Sequence, residues 1–379
     1  MLWTVVLTYP FMTVFQATCA RIGRVTGRGL AANIKRLFPR WVVLSVVVLL
    51  LIANVLNVSA DVAAMGEAGA LIVPVDRHWL TLGFAAVTLA LQILVPYHRY
   101  VFFLKWLTLS LFAYVAVAFI VHIDWLQVME RTVLPSFKFD KDSATMVVAI
   151  FGTTISPYLF FWQAAEEVEE VEGHKGAHPL KDAPAEAPEE LRRIRWDTYI
   201  GMGYSNIIAY FVILATAVTL NAHGALNIQT ASDAAKALQP VAGPLASTLF
   251  TLGIVGTGFL AIPTLAGSAA YALSEAMGWQ EGLEHKLSEA RGFYAVITFA
   301  ILGGVALSYS PLDPIKALFW SAVVNGVIAV PLMAVIMLVA TRKSLMGRFV
   351  ATGWLRWGGW LATAIMAVVA VAMFVLMAV

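Results

Sequence analysis

Apolar residues along this chain come in runs of about twenty, separated by short polar stretches, and a helical run of that length crosses the hydrocarbon of a bilayer. Ten runs are predicted: Leu2–Ala20, Trp41–Met65, Leu80–Val95, Val101–His122, Thr145–Ala165, Thr198–Leu220, Pro244–Met277, Phe293–Tyr309, Ala317–Ala340 and Trp360–Val379. The expected fold class is all-α, a polytopic membrane protein. The fifth run differs from the rest, because Gly152–Gln163 reads GTTISPYLFFWQ, with hydroxyls and a proline in mid-span. Pro157 removes a helical hydrogen bond and lipid supplies no substitute, so a break of this kind survives only where it lines a cavity or binds something. In transporters built from inverted repeats, such interrupted helices hold the substrate near the bilayer midplane.

Composition agrees with the pattern. The 379 residues are 60% hydrophobic and 13% charged, with a mean hydropathy of +0.80, far from the average soluble domain. A net charge of +2, without a basic cluster interleaved with aromatics, excludes a nucleic-acid partner and leaves the lipid bilayer as the expected surroundings. The single cysteine, Cys19, rules out a disulfide framework and reads as a small core residue. No GxSxG, HExxH or pair of aspartates in facing runs is present, so neither an enzyme nor a resident cofactor is expected. His174 and His178 lack the glutamate that a zinc-protease helix places after its first histidine.

Basic residues orient the chain, since positively charged loops stay in the cytoplasm. Of the 25 Lys and Arg, 19 fall in the loops after the odd-numbered runs and 6 on the other side. Met1 is then expected outside, although Leu2–Ala20 makes a poor signal peptide: it has no basic start and contains Pro10. If the broken run opens a five-run repeat over residues 145–340, its inverted partner within residues 1–122 has only four runs. The expected organisation is one transporter domain over 1–379, with an incomplete first repeat, a complete second repeat and an extra run at 360–379. Residues 166–196 form an acidic, Glu-, Ala- and Pro-rich cytoplasmic loop. The pattern reads as an eleven-run transporter without its first run.

Four stretches carry a resemblance. TYPFMTVFQATCARIGRVTGRGLAANIKR (residues 8–36), NVSADVAAMGEA (57–68), GTTISPYLFFWQ (152–163) and TLGIVGTGFLAIPTLAGSAAYALSEAMGW (251–279) resemble the second, third, sixth and eighth helices of the Nramp family of divalent metal transporters. The similarity extends over essentially the whole chain. It implies a LeuT-like inverted-repeat fold whose ten spans match family helices two to eleven, with metal bound between the first and sixth helices. The family's first helix carries an Asp-Pro-Gly break, and no such segment is present here. Its Met-Pro-His in the sixth helix is replaced by Ser156, Pro157 and Tyr158. A hydroxyl is a harder ligand than a thioether and suits magnesium or manganese. In this respect the chain resembles the Met-lacking, Nramp-related branch, and the expected cation is a transported substrate.

The resemblance maps the family's carbonyl ligand to Thr153 and its methionine to Ser156. Tyr158, Gln163, Asn206 and Asn325 are further candidates to contact a hydrated ion. Amides of this kind, Asn54 and Asn57 included, equally serve as interhelical glue. Asp61 matches an aspartate on the family's proton route, and a carboxylate inside a span is by default part of an ion or proton path. Arg291 matches an arginine that pairs with that region, and also reads as a snorkelling anchor. The family's companion glutamate is Ala64 and its histidine is Tyr158, so tight proton coupling is not expected. The run Glu166, Glu167, Glu169, Glu170 and Glu172 would draw cations by its field, or is a solvated helix end. The expected function is secondary transport of divalent cations. An amino-acid transporter on the same fold and an inactive fragment are the alternatives.

Overall fold

A computed structural model describes residues 1–96, 99, 102, 105–135, 139–174, 176–220, 228, 230–283, 285–310 and 313–378; Val101 and Val379, which bound predicted runs, and Lys138 and Lys175, two of the 25 basic residues counted above, lie outside these. Among the described residues nine helices are long and apolar enough to cross a membrane, or ten if one bent pair counts as a span. In chain order we label α1 (Leu2–Thr26), α2 (Leu30–Lys35), α3 (Arg40–Gly69), α4 (Arg77–Leu94), α5 (Phe112–Ile120), α6 (Trp125–Val133) and α7 (Lys141–Thr154). There follow α8 (Pro157–Gly173), α9 (Ala187–Thr219), α10 (Ala246–Met277), α11 (Arg291–Ser308), α12 (Pro314–Ala340) and α13 (Gly353–Ala378).

Local chemistry fixes most helix ends. Asp76, Asp124, Asp140 and Asp313 each accept backbone N–H bonds at the start of α4, α6, α7 and α12, which satisfies donors that the helix itself leaves free. Gly27 and Gly278 close α1 and α10 in the left-handed conformation, at φ 61° and 75°, where a side chain would be strained.

Two packing centres position the break. Helix α3 lies against α4, α10, α11 and α12, while α1 lies against α8, α9 and α13. Helix α7 packs on α12 at Gly152 and Gly326, where the two backbones approach so closely that a methyl on Gly152 would overlap the Ala322 carbonyl and the Gly326 amide. Small residues take this role in membranes because lipid gives no hydrophobic drive between helices and close van der Waals contact replaces it. Cys19 is fully buried in the cluster around α1.

Two expectations are corrected. The fourth predicted run, Val101–His122, is not a straight span: its described part is a 3₁₀ turn at Leu107–Leu111 and α5, followed by a bend of 119° into α6. The bend follows from extended backbone at Val121 and from Asp124, whose carboxylate accepts from Leu126 and Gln127 and starts a new helix. The acidic stretch at 166–196 is not a loop throughout. Helix α8 continues to Gly173 and α9 already begins at Ala187, because several of its glutamates are held by arginines, as described next.

Candidate functional site

Helix α7 stops at Thr154, and α8 starts at Pro157, with Ile155 and Ser156 between them in non-helical conformation. Proline in the first turn of α8 has no N–H to give, so the carbonyls at the end of α7 lose their usual donors. The Ser156 hydroxyl donates to the Gly152 carbonyl at 2.6 Å and lies 3.0 Å from that of Thr153. Thr154 uses its hydroxyl in the same way on Ile150 and Phe151. The Ile155 N–H is spent on Phe151. Among the described residues nothing donates to the carbonyls of Thr154 and Ile155. The break therefore presents backbone oxygens with free lone pairs, in a segment where Thr153 is exposed and Thr154 and Tyr158 are half-buried. Carbonyl and hydroxyl oxygens are the donor set that hard cations take.

Helix α3 brings two polar groups toward this region. Asn57 and Asp61 stand one turn apart on one face of the helix, and Tyr158 of α8 packs against the cluster that holds Val58 and Val62 of α3. Asp61 is half-buried and receives no hydrogen bond from any described residue. Asn57 and Asn325 exchange amide bonds, each 3.1 Å long, joining α3 to α12 beside the Gly152–Gly326 contact.

The other sequence-derived candidates are distributed differently. Gln163 is half-buried on α8, seven residues beyond Ser156 and so about 10 Å along the helix axis. Asn206 is away from the break: its amide donates to the Val5 carbonyl at 2.7 Å and ties α9 to α1. Asn54 likewise donates to the Leu265 carbonyl and the Ser268 hydroxyl and holds α3 to α10. Arg291 does not meet Asp61. It lies exposed at the start of α11, whereas the α11 residue packed beside Ser59 is Gly304, thirteen residues and about 20 Å further along.

At the end of α8 a charged network appears that the sequence reading had only as a run of glutamates. Arg193 of α9 bonds Glu167 at 2.7 Å and lies 3.1 Å from both Glu170 and Glu190. Arg24 of α1 reaches Glu186 and Glu190 at 3.3 and 3.1 Å. The spacing of Glu190 and Arg193, three apart at a helix start, was a legible signal for part of this. Glu169 accepts from the Tyr271 hydroxyl and from the Leu283 N–H. With Glu172, Glu275, Glu281 and His285 it lines a cavity of about 330 Å³. In the loop after α10, burial first and then the carboxylates of Glu275, Glu172 and Glu169 push the Glu281 carboxyl up to about 9. Among the described residues no group of three or more His, Cys, Asp or Glu is arranged to hold a metal ion.

Comparison with known proteins gives one answer. The profile of the family described as Nramp, natural resistance-associated macrophage protein-like, matches residues 1–376. The divalent metal cation transporter MntH of Acidiphilium cryptum is 25% identical over 376 residues, covering 93% of this chain and 78% of that protein. The MntH of Burkholderia ambifaria is 26% identical, covering 92% of this chain and 75% of its own. A crystal structure of the Eremococcus coleocola manganese transporter, in complex with an aromatic bis-isothiourea compound, superposes with a TM-score of 0.73 at 16% identity. It covers 97% of this chain and 78% of its own, and shares its LeuT-type fold. With the family profile matching residues 1–376 and its fold shared with a solved transporter, this polytopic membrane chain belongs to the Nramp family.

Proposed function

We propose that this chain carries divalent cations of the hard magnesium or manganese class across the inner membrane by alternating access, with the cation seated at the break between α7 and α8. The observation that carries the reading is the pair of undonated carbonyls at Thr154 and Ile155 beside the Ser156 hydroxyl, in a chain of the Nramp family. Relatives named as divalent metal cation transporters support the substrate class. Replacement of a methionine by Ser156 favours hard over soft cations. Asn325, held beside the break, and Asp61, facing it, supply the neighbouring polar groups; Gln163 lies on the inward path. With Asp61 the one carboxylate near the break among the described residues, cation movement is expected without tight proton coupling.

The test is uptake into proteoliposomes, with magnesium and manganese compared and a pH-sensitive dye inside. Entry of either ion above empty vesicles, with little acidification, is the expected result. No entry of either ion overturns the cation reading, and stoichiometric acidification overturns the uncoupled part of it. An amino-acid arm in the same assay tests the rival on the same fold.

A further inference from the structure

Away from the break, helices α9 and α13 both pack on α1 yet make no extensive contact with each other. Between them lies a cleft of about 620 Å³ floored by Ala17 and Arg21 of α1. Its walls are apolar, with Leu191 and Ile194 on α9 and Leu355 on α13, and two further guanidinium groups, Arg192 and Arg195, stand on its rim. No Asp or Glu lines it. The Arg21 Nε donates to the Phe349 carbonyl at 2.9 Å. That bond fixes the guanidinium plane, and its terminal nitrogens have no partner among the described residues. Arg192 and Arg195 make no ion pair with described residues either. Arg24, one turn beyond Arg21 on α1, and Arg193, next to Arg192 on α9, are by contrast saturated with glutamates.

Three guanidinium groups without acidic partners around an apolar cleft make a positive field that favours an anion there. The cleft is at the end of the helices where basic residues concentrate, the cytoplasmic side by the positive-inside rule. Trp354 and Trp357 are 53% and 73% exposed there, as aromatic residues are at a lipid headgroup boundary. Pro188 and Tyr199 of α9 also line the cleft, so apolar and aromatic surface runs on both sides of the guanidinium groups. We propose that this cleft binds the phosphate of an anionic phospholipid, with an acyl chain lying against the apolar walls formed by Leu191, Ile194 and Leu355. Free phosphate shares the headgroup chemistry, but it has no use for the apolar walls.

The experiment uses the full chain in uncharged detergent and follows thermal unfolding during titration with dioleoyl phosphatidylglycerol, dioleoyl phosphatidylcholine or inorganic phosphate. The anionic lipid is expected to raise Tm saturably, and the other two are not. The double variant Arg192→Gln, Arg195→Gln removes only exposed side chains. It should keep its lipid-free Tm and bind the anionic lipid about tenfold more weakly or worse. An unchanged response in that variant, or an equal response to phosphatidylcholine, overturns the site. An equal response to phosphate alone overturns its assignment to lipid. None of these readouts depends on transport.

Discussion

Asn57 and Asn325, 268 positions apart, hold each other by two reciprocal amide bonds of 3.1 Å. This pair is a direct polar link between α3, which carries Asp61, and α12, on which the broken helix rests. Replacing either residue by leucine leaves the other amide without its partner inside the membrane. Each single variant should lose about 1 kcal/mol. The double variant should lose clearly less than the two losses combined, because it leaves no orphan. A double-mutant cycle on thermal unfolding in detergent measures this, and strict additivity would show that the pair does not act as a unit.

Gly152 is the contact point of α7 with α12, and Gly152→Ala should destabilise the protein by about 1–3 kcal/mol. The obstacle is the backbone of Ala322 and Gly326, which no rotamer change can move. If the variant unfolds at the parent's temperature, the two helices are less tightly seated than the structure shows.

Ser156→Met tests the hard-ligand argument. The substitution removes the hydroxyl that occupies the Gly152 carbonyl and adds a thioether at the same backbone position. Uptake of manganese or cadmium should rise relative to magnesium, since thioethers favour the later, softer metals. An unchanged ratio would remove Ser156 from the selectivity determinants.

Much of this was legible because it is written locally. Each span is a continuous apolar run, and the break needs only Pro157 and its hydroxyl neighbours to be noticed. The bend after α5 was also local, in that Asp124 is a helix-capping residue, but the apolar character of Val101–His122 concealed it. What could not be read is partnership across sequence distance. Nothing near Asn206 marks the Val5 carbonyl, 201 residues away, as its acceptor. Asn325 gives no local sign that it belongs to Asn57. Arg291 was assigned by resemblance, whereas its helix register places it about 20 Å from Gly304, the α11 residue packed beside Ser59.

Arg193 should be far more important to stability than a surface arginine. Its partner Glu167 is only 5% exposed at the side chain, and a buried carboxylate stripped of its counter-charge costs about 3–5 kcal/mol. Arg193→Gln should therefore unfold well below the parent temperature. Adding Glu167→Gln should recover part of the loss, because the uncompensated charge is then gone. Equal stability of the single and double variants would assign the effect to lost contacts of Arg193 with Glu170 and Glu190.

Glu281 makes a prediction with a definite pH sign. Its carboxyl, in the loop after α10, is pushed up to about 9 by burial and by Glu275, Glu172 and Glu169, whereas in the unfolded chain it titrates near the ordinary value of about 4.3. Between those values the folded protein holds a proton that the unfolded chain has released. Stability from this group is thus fully present below about pH 4, and it falls as pH rises toward 9. Glu281→Gln mimics the protonated form at every pH. It should raise Tm only slightly at pH 5 and much more at pH 8, flattening the pH dependence of unfolding over that window. A variant whose Tm stays parallel to the parent's from pH 5 to pH 8 would mean that Glu281 is already ionised in the folded protein, with its three neighbouring carboxylates screened by water in the cavity.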